Sequence, residues 1–286
     1  MRVVATLTTR PDYHEGLKET LNSLTSQFDD VYLGLPEISK DNKKYPPFSH
    51  PKVKVVKLTE DIGPASKILA GIIMEKNNKD TLIVSVDDDH CYNQNLRTMF
   101  EKERLEDIKN NKCRVFTQAG AYIKYWNFNT LGINGITHDN NLSFDSSKNP
   151  KLTTIAGVCG VAYPNEIFLK NGIQHYIDFI NNISNDRILF RNDDVTISAY
   201  LSYINVPKVA VEKTMIDYGK PNKVESLEKI SPSREELFEA CHKMKKYLSK
   251  NNNFKIFSLT YIDVIFFIFL LFLYFCYFCY FYKSKF

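Results

Sequence analysis

Three adjacent carboxylates, Asp87-Asp88-Asp89, followed by His90, close the apolar run Leu82-Ile-Val-Ser-Val86. Neighbouring carboxylates repel one another unless a cation sits among them. Asp87 and Asp89, two apart, can converge on one divalent ion. Their oxygen ligands favour Mg²⁺ or Mn²⁺ over zinc, and such an ion also holds a diphosphate. A solvated acidic turn is the plainer alternative. A second acidic pair, Asp193-Asp194, stands ahead of the helical pattern Val195, Ile197, Leu201. Carboxylates there can cap a helix or act as a general base on an acceptor hydroxyl. In Asp61-Ile-Gly-Pro-Ala-Ser-Lys67, Lys67 falls near a helix start, where backbone N–H groups and an ammonium can meet an anion. A plain loop-to-helix turn explains it equally. The chain has no Walker A loop, Gly-x-Gly-x-x-Gly motif, nucleophile elbow or His-Glu-x-x-His motif, which weighs against kinase, dehydrogenase and hydrolase chemistry.

These residues need elements to position them. Val3–Thr8, Val31–Leu35, Val53–Leu58, Leu82–Val86, Arg114–Gln118 and Val206–Val211 read as buried strands. Helical faces follow in Leu17, Leu21 and Leu24, in Ile68, Leu69, Ile72 and Ile73 after Pro64, and across 95–109. The alternation predicts a mostly parallel sheet with helices on both faces, whose carboxyl edge binds ligands. Residues 126–152 are rich in Asn, Asp, Ser and Gly and read as a long loop. Ser233 with Glu236 forms a capping box for a helix reaching about Leu248. No repeat or second globular domain is evident.

The chain has 286 residues, 44% hydrophobic and 24% charged, which excludes a disordered chain, a collagen and a disulfide-stapled miniprotein. A net charge of +4 is too mild to argue for nucleic acid. The aromatic residues concentrate at the end. Val264 to Tyr282 carries no charge, and as a helix it spans roughly 28 Å, close to a bilayer's hydrocarbon core. Lys243, Lys245, Lys246, Lys250 and Lys255 precede it, while Lys283 and Lys285 follow. The positive-inside rule then puts the large domain in the cytosol, and Met1-Arg2 leads into a strand with no signal-peptide pattern. The expected organisation is a catalytic domain at 1–250, a basic linker at 251–263 and a transmembrane helix at 264–282. Cys91, Cys113, Cys159 and Cys241 show no metal-ligand spacing and read as reduced core residues. The sequons at Asn141 and Asn182 would go unused in a cytosolic domain.

In combination these motifs resemble the glycosyltransferases of the GT-A fold, especially family 2-like viral and bacterial members. Thr8-Thr9-Arg10-Pro11 resembles their nucleotide-binding edge, and Asp61 to Lys67 their Asp-x-Gly-Pro-x-x-Lys segment. Asp87-Asp88-Asp89 resembles the DxD motif, Ile155-Ala-Gly-Val-Cys-Gly160 the glycine-containing segment near donor and acceptor, and Asp193-Asp194 the late acidic pair. The resemblance covers about residues 3–212. It implies a Rossmann-like mixed sheet flanked by helices and a metal-dependent transfer of sugar from a nucleotide-diphosphate donor to an acceptor hydroxyl, with inversion. Thr8, Thr9, Arg10, Asp61, Lys67, Asp87 and Asp88 would bind the donor, and Asp87 and Asp89 the Mn²⁺ or Mg²⁺ ion. Asp194 would be the base, with Asp193 its rival. The acceptor, on a glycan, lipid or protein, stays open. One departure is the metal shell: the late histidine ligand of many members has no counterpart here, since His242 falls on a helix beside the anchor. A nucleotidyltransferase acting on sugar phosphates and an inactive membrane-tethered scaffold are the competing readings. The first normally shows a glycine-rich loop after strand one, which Thr8-Thr9-Arg10-Pro11 lacks.

Overall fold

The computed structural model describes residues 1–12, 14–118, 120–123, 136–137, 154–211, 220–221 and 234–250. The apolar stretch 264–282, the linker 251–263, Asn141 and nearly all of the 126–152 loop lie outside the described residues. Among the described residues, no helix is long and apolar enough to cross a membrane.

The first half alternates strand and helix: β1 (Val3–Thr8), α1 (His14–Thr25), β2 (Asp30–Pro36), β3 (Val53–Leu58), a 3-10 segment (Gly63–Ile68) running into α2 (Leu69–Met74), and β4 (Leu82–Ser85). A short β5 (His90–Cys91), α3 (Leu96–Lys109) and β6 (Val115–Thr117) follow. Then come β7 (Gly120–Ile123), β8 (Ile136–Thr137) and β9 (Thr154–Ile155), a 3-10 turn (Gly157–Cys159) and β10 (Val161–Pro164). The chain continues through α4 (Glu166–Asn171), α5 (Ile173–Ile183), α6 (Arg187–Arg191), α7 (Asp193–Tyr203), β11 (Lys208–Ala210), β12 (Lys220–Pro221) and α8 (Arg234–Lys250).

The central 7-stranded sheet has the order β11-β6-β10-β4-β1-β2-β3. Strands β4, β1, β2 and β3 are mutually parallel, β6 and β11 are parallel to each other, and β10 runs antiparallel between β4 and β6. The sheet is therefore mostly parallel, as the strand–helix alternation predicts, and mixed through β10. β5 pairs with β12, and β7 pairs with β8 and β9, in small antiparallel additions.

Both faces are covered, so the strands read as continuous apolar runs. Period-two alternation splits them into two cores. Val3, Ala5 and Leu7 meet Leu17, Leu21 and Leu24 of α1 and Phe100 of α3. Val4, Tyr32, Ile83 and Tyr163 meet Ile72 of α2, Tyr176 and Ile180 of α5, Tyr200 of α7 and Met244 of α8. Helices α4, α5 and α6 have no counterpart in the sequence reading.

At the amino edge of the sheet, Arg2 joins Asp30 and Glu75, and the Tyr32 hydroxyl donates to Glu75 Oε1 at 2.6 Å. This charged plug ties β1 and β2 to the end of α2 and leaves the opposite, carboxyl edge for chemistry. Chain direction explains that edge. β1 crosses to β2 on one side and is bordered by β4 on the other. A crevice therefore opens beyond the carboxyl ends of β1 and β4, where open α/β sheets bind ligands.

Candidate active site

The carboxyl ends of β1 and β4 deliver Thr8, Thr9 and Asp87–Asp89 to this crevice. β10 runs the other way, with Val161 opposite Ser85, so the Gly157–Cys159 turn that precedes it arrives at the same edge. Helix α7 points its first turn, carrying Asp193 and Asp194, at the same place.

Lys67 stands at the centre. Its ammonium lies 2.5 Å from Asp87 Oδ1 and 2.7 Å from Asp193 Oδ2. The second contact is a close, buried ion pair, and Asp193 is the strongest of the charges that favour the ammonium. Asp194 Oδ1 accepts the Gly157 N–H at 2.8 Å. Gly157 is tight against all of this: a Cβ there would sit 2.8 Å from Lys67 Nζ and 2.9 Å from Asp194 Oδ1. Neither aspartate caps α7. The N-cap residue is Asn192, with no side-chain cap bond, so the acidic pair is turned to the crevice instead.

The support is built from neutral groups. The buried Thr6 hydroxyl donates to the Lys67 carbonyl at 2.8 Å and accepts the Gly71 N–H at 3.1 Å. Gly71 permits this approach, because a Cβ there would lie 2.7 Å from Ile83 Cγ2. The Tyr176 hydroxyl donates to the Ala65 carbonyl at 2.8 Å. The Tyr92 hydroxyl accepts the Asp87 N–H at 2.8 Å and donates to the Val158 carbonyl at 3.2 Å, bridging β4 to the glycine turn. Ser198 of α7 accepts the Ile155 N–H at 2.9 Å. Thr6, Tyr92, Tyr176 and Ser198 carried no sequence signal, because each acts through a hydrogen bond to a residue distant in the chain.

The other carboxylates face elsewhere. Asp88 takes the Thr9 hydroxyl, and its carbonyl takes the Thr20 hydroxyl at 2.9 Å. Asp89 Oδ1 lies 2.5 Å from His90 Nδ1. Asp61 accepts the Gly63 and Lys40 N–H groups, both at 2.8 Å, on the β3 side. Thr8 donates to the Gly34 carbonyl at 2.8 Å, and Arg10 pairs with Asp12 at 3.4 Å on the surface. Of the residues singled out in the sequence, Lys67, Asp87, Asp193 and Asp194 thus form one cluster. Asp88 with Thr9 and Asp89 with His90 flank it, and Asp61, Thr8 and Arg10 stand off toward β2 and β3. Tyr45, from the loop after β2, lies in the field of both groups. Burial, then the charges of Asp61 and Asp88, hold its hydroxyl well above the usual range.

Charge crowding sets the protonation states. Burial would lower the Lys67 ammonium, but Asp193, Asp87 and Asp194 overcome it and hold it well above its ordinary value. Burial and then Asp193 push the Asp194 carboxyl up to about 8, against the pull of Lys67 and the Gly157 N–H. Burial pushes Asp88 up to about 7, with Asp89 and Asp87 adding to it and the Thr9 hydroxyl opposing. Asp194 and Asp88 thus hold their protons more readily than ordinary carboxyls, and Lys67 is shared by Asp87 and Asp193. Among the described residues, no group of three or more His, Cys, Asp or Glu side chains is assembled for a metal. Asp87 is engaged by Lys67 and Asp89 by His90, so the two carboxylates expected to share an ion have different partners.

No protein-family model matches the sequence, and no curated protein does. Among solved structures, the chain is similar to 4-diphosphocytidyl-2C-methyl-D-erythritol synthase, with a TM-score of 0.43 and 11% identity, over 83% of this chain and 100% of that one. It is also similar to S. aureus TarS 1-349, with a TM-score of 0.38 and 16% identity, over 75% of this chain and 59% of that one.

Proposed function

We propose that the chain is a metal-dependent glycosyltransferase that moves a sugar from a nucleotide-diphosphate donor to an acceptor hydroxyl, at the cytosolic face of a membrane. The observation that carries this reading is the meeting of Lys67, Asp87, Asp193 and Asp194 at the carboxyl edge of a mixed sheet, beside its switch point. The sequence order of the motifs supports the same assignment.

In this reading Thr8, Thr9, Arg10, Asp61 and Asp88 line the donor side, along β1 to β3. Asp87 and Asp89 would hold a Mn²⁺ or Mg²⁺ ion, which would supply positive charge beside the diphosphate. Asp194 is the base. The acceptor oxygen attacks the anomeric carbon, its proton passes to Asp194, and the bond to the diphosphate breaks with its electron pair on the leaving oxygen. Burial and the charge of Asp193 raise this carboxyl above the ordinary range, toward the operating pH at which a base works best. Asp193 serves as the counter-ion of Lys67. The Gly157 N–H fixes the rotamer of Asp194, so the base is oriented before the acceptor arrives. A single base on the face opposite the leaving group gives inversion.

The test is donor hydrolysis by the full-length protein across a panel of sugar nucleotides, with Mn²⁺ and with Mg²⁺. Release of a nucleoside diphosphate and free sugar from one donor, dependent on the ion, is the expected result. Release of inorganic diphosphate from a nucleoside triphosphate and a sugar phosphate would replace this reading with nucleotidyl transfer.

A further inference from the structure

The Asp194 carboxyl takes its direction from a backbone group, the Gly157 N–H, so the turn that carries this N–H must itself be held in place. Strand pairing does not reach it. The β4–β10 ladder ends at Ser85 and Val161, and the Gly157–Cys159 turn lies beyond that pair. There the Asp87 N–H and the Val158 carbonyl are joined through the Tyr92 hydroxyl, which accepts from the first at 2.8 Å and donates to the second at 3.2 Å. One hydroxyl thus spaces the end of β4 from the turn. Tyr92 is itself fixed: it is 5% exposed, and its N–H donates to Ser23 Oγ of α1 at 3.0 Å. From the end of β6, the buried Gln118 amide donates to the Cys159 carbonyl at 2.8 Å. The turn is therefore gripped through its last two carbonyls, while its first N–H serves Asp194. Apolar side chains of similar shape would fill both places. What the hydroxyl and the amide add is the position of the turn.

We propose that Tyr92 and Gln118 are positioning residues for the transfer step, clamping the glycine turn so that its N–H holds Asp194 toward the acceptor proton. This rests on the glycosyltransferase reading above and adds to it the groups that orient the base. Both act through the turn on Asp194.

The experiment is nucleoside diphosphate release from the preferred sugar nucleotide by the full-length protein. Wild type is compared with Tyr92→Phe and Gln118→Met, each alone and combined with Asp194→Asn. Assays run well below the melting temperature of each variant, because a buried carbonyl left unpaired also costs stability. Each single variant should lose on the order of 10²-fold in kcat, the cost of a misplaced catalytic group, with KM for the donor within about twofold of wild type. Groups that act as one unit are not additive, so in the Asp194→Asn background each change should lower the remaining slow rate by less than about threefold. A lower melting temperature with kcat intact would make the clamp structural only and overturn the inference. A raised KM with unchanged kcat would overturn it too, as would the full loss repeated in the Asp194→Asn background, since the two residues would then act elsewhere. Should one variant not fold, the other carries the same prediction, because they grip different carbonyls of the turn. If wild type releases nothing from any donor, the glycosyltransferase reading falls and the clamp with it. Active wild type with unaffected variants removes the clamp alone.

Discussion

At the scale of single residues, the site is a set of carboxylates whose neighbours give them different tasks. Asp193 and Asp194 are adjacent, yet one pairs with Lys67 and the other with a backbone N–H. Asp194→Asn should lower sugar transfer by roughly 10²–10⁴-fold with donor affinity retained, as expected for loss of a general base. Had its role been helix capping, the change would instead cost about 0.5–2 kcal/mol of stability with transfer intact. The pH profile gives a second check. Asp194 must be deprotonated to accept a proton, and burial with Asp193 raises its pKa, so kcat/KM should rise with pH along a limb displaced above the ordinary carboxylate range. An acidic limb lying wholly below pH 6 would show that another group sets it. Gly157→Ala places a methyl group within 2.8 Å of Lys67 Nζ and 2.9 Å of Asp194 Oδ1. It should reduce transfer far more than thermal stability, measured side by side. The clustered carboxylates were legible in the sequence because acidic runs after a buried strand are conspicuous. Tyr92, which ties Asp87 to the glycine turn, was not, since nothing local marks a tyrosine whose hydroxyl reaches Val158, 66 positions along the chain.

At the scale of elements, α7 and β11 share a buried lysine that makes stability depend on pH. Lys208 Nζ donates to the Ser198 carbonyl at 3.2 Å and to the Ser202 hydroxyl at 2.5 Å, both uncharged. Burial lowers its pKa from 10.5 to about 7. Between those values the unfolded chain binds more protons than the folded one, so stability rises with pH from about 7 to about 10.5. The full span is on the order of a few kcal/mol. Lys208→Met should flatten that slope in denaturant titrations repeated across pH; an unchanged slope would place its origin elsewhere. Strands β1 to β4 were legible because doubly buried strands are short apolar runs with β-branched residues. The antiparallel direction of β10 was not, because a buried run such as Val161–Pro164 carries no mark of direction. Helix α5 also escaped the sequence reading. Its isoleucines weaken intrinsic helix propensity, and the helix is held by Tyr176, Phe179 and Ile180 packing into the core instead.

At the scale of the whole molecule, the proposal is a catalytic domain carried close to a bilayer. Helix α8 is bound to the domain through Ala240, Cys241, Met244 and Leu248, and Lys243 pairs with Asp186 at 2.7 Å. α8 ends at Lys250, and in this proposal 251–263 would be the link to the apolar stretch. Full-length protein should stay with membranes through alkaline carbonate washing, and deletion of 264–286 should release it. Recovery of the full-length chain in the soluble fraction would remove the anchor. The central claim is narrower: the cluster of Lys67, Asp87, Asp193 and Asp194 is a sugar-transfer centre. It is tested most directly by metal-dependent release of nucleoside diphosphate from the preferred sugar nucleotide, comparing wild type with Asp194→Asn and Asp89→Ala at equal melting temperature. The account predicts activity in wild type, donor binding without turnover in Asp194→Asn, and loss of the response to Mn²⁺ in Asp89→Ala. Turnover at the wild-type rate in both variants would contradict it.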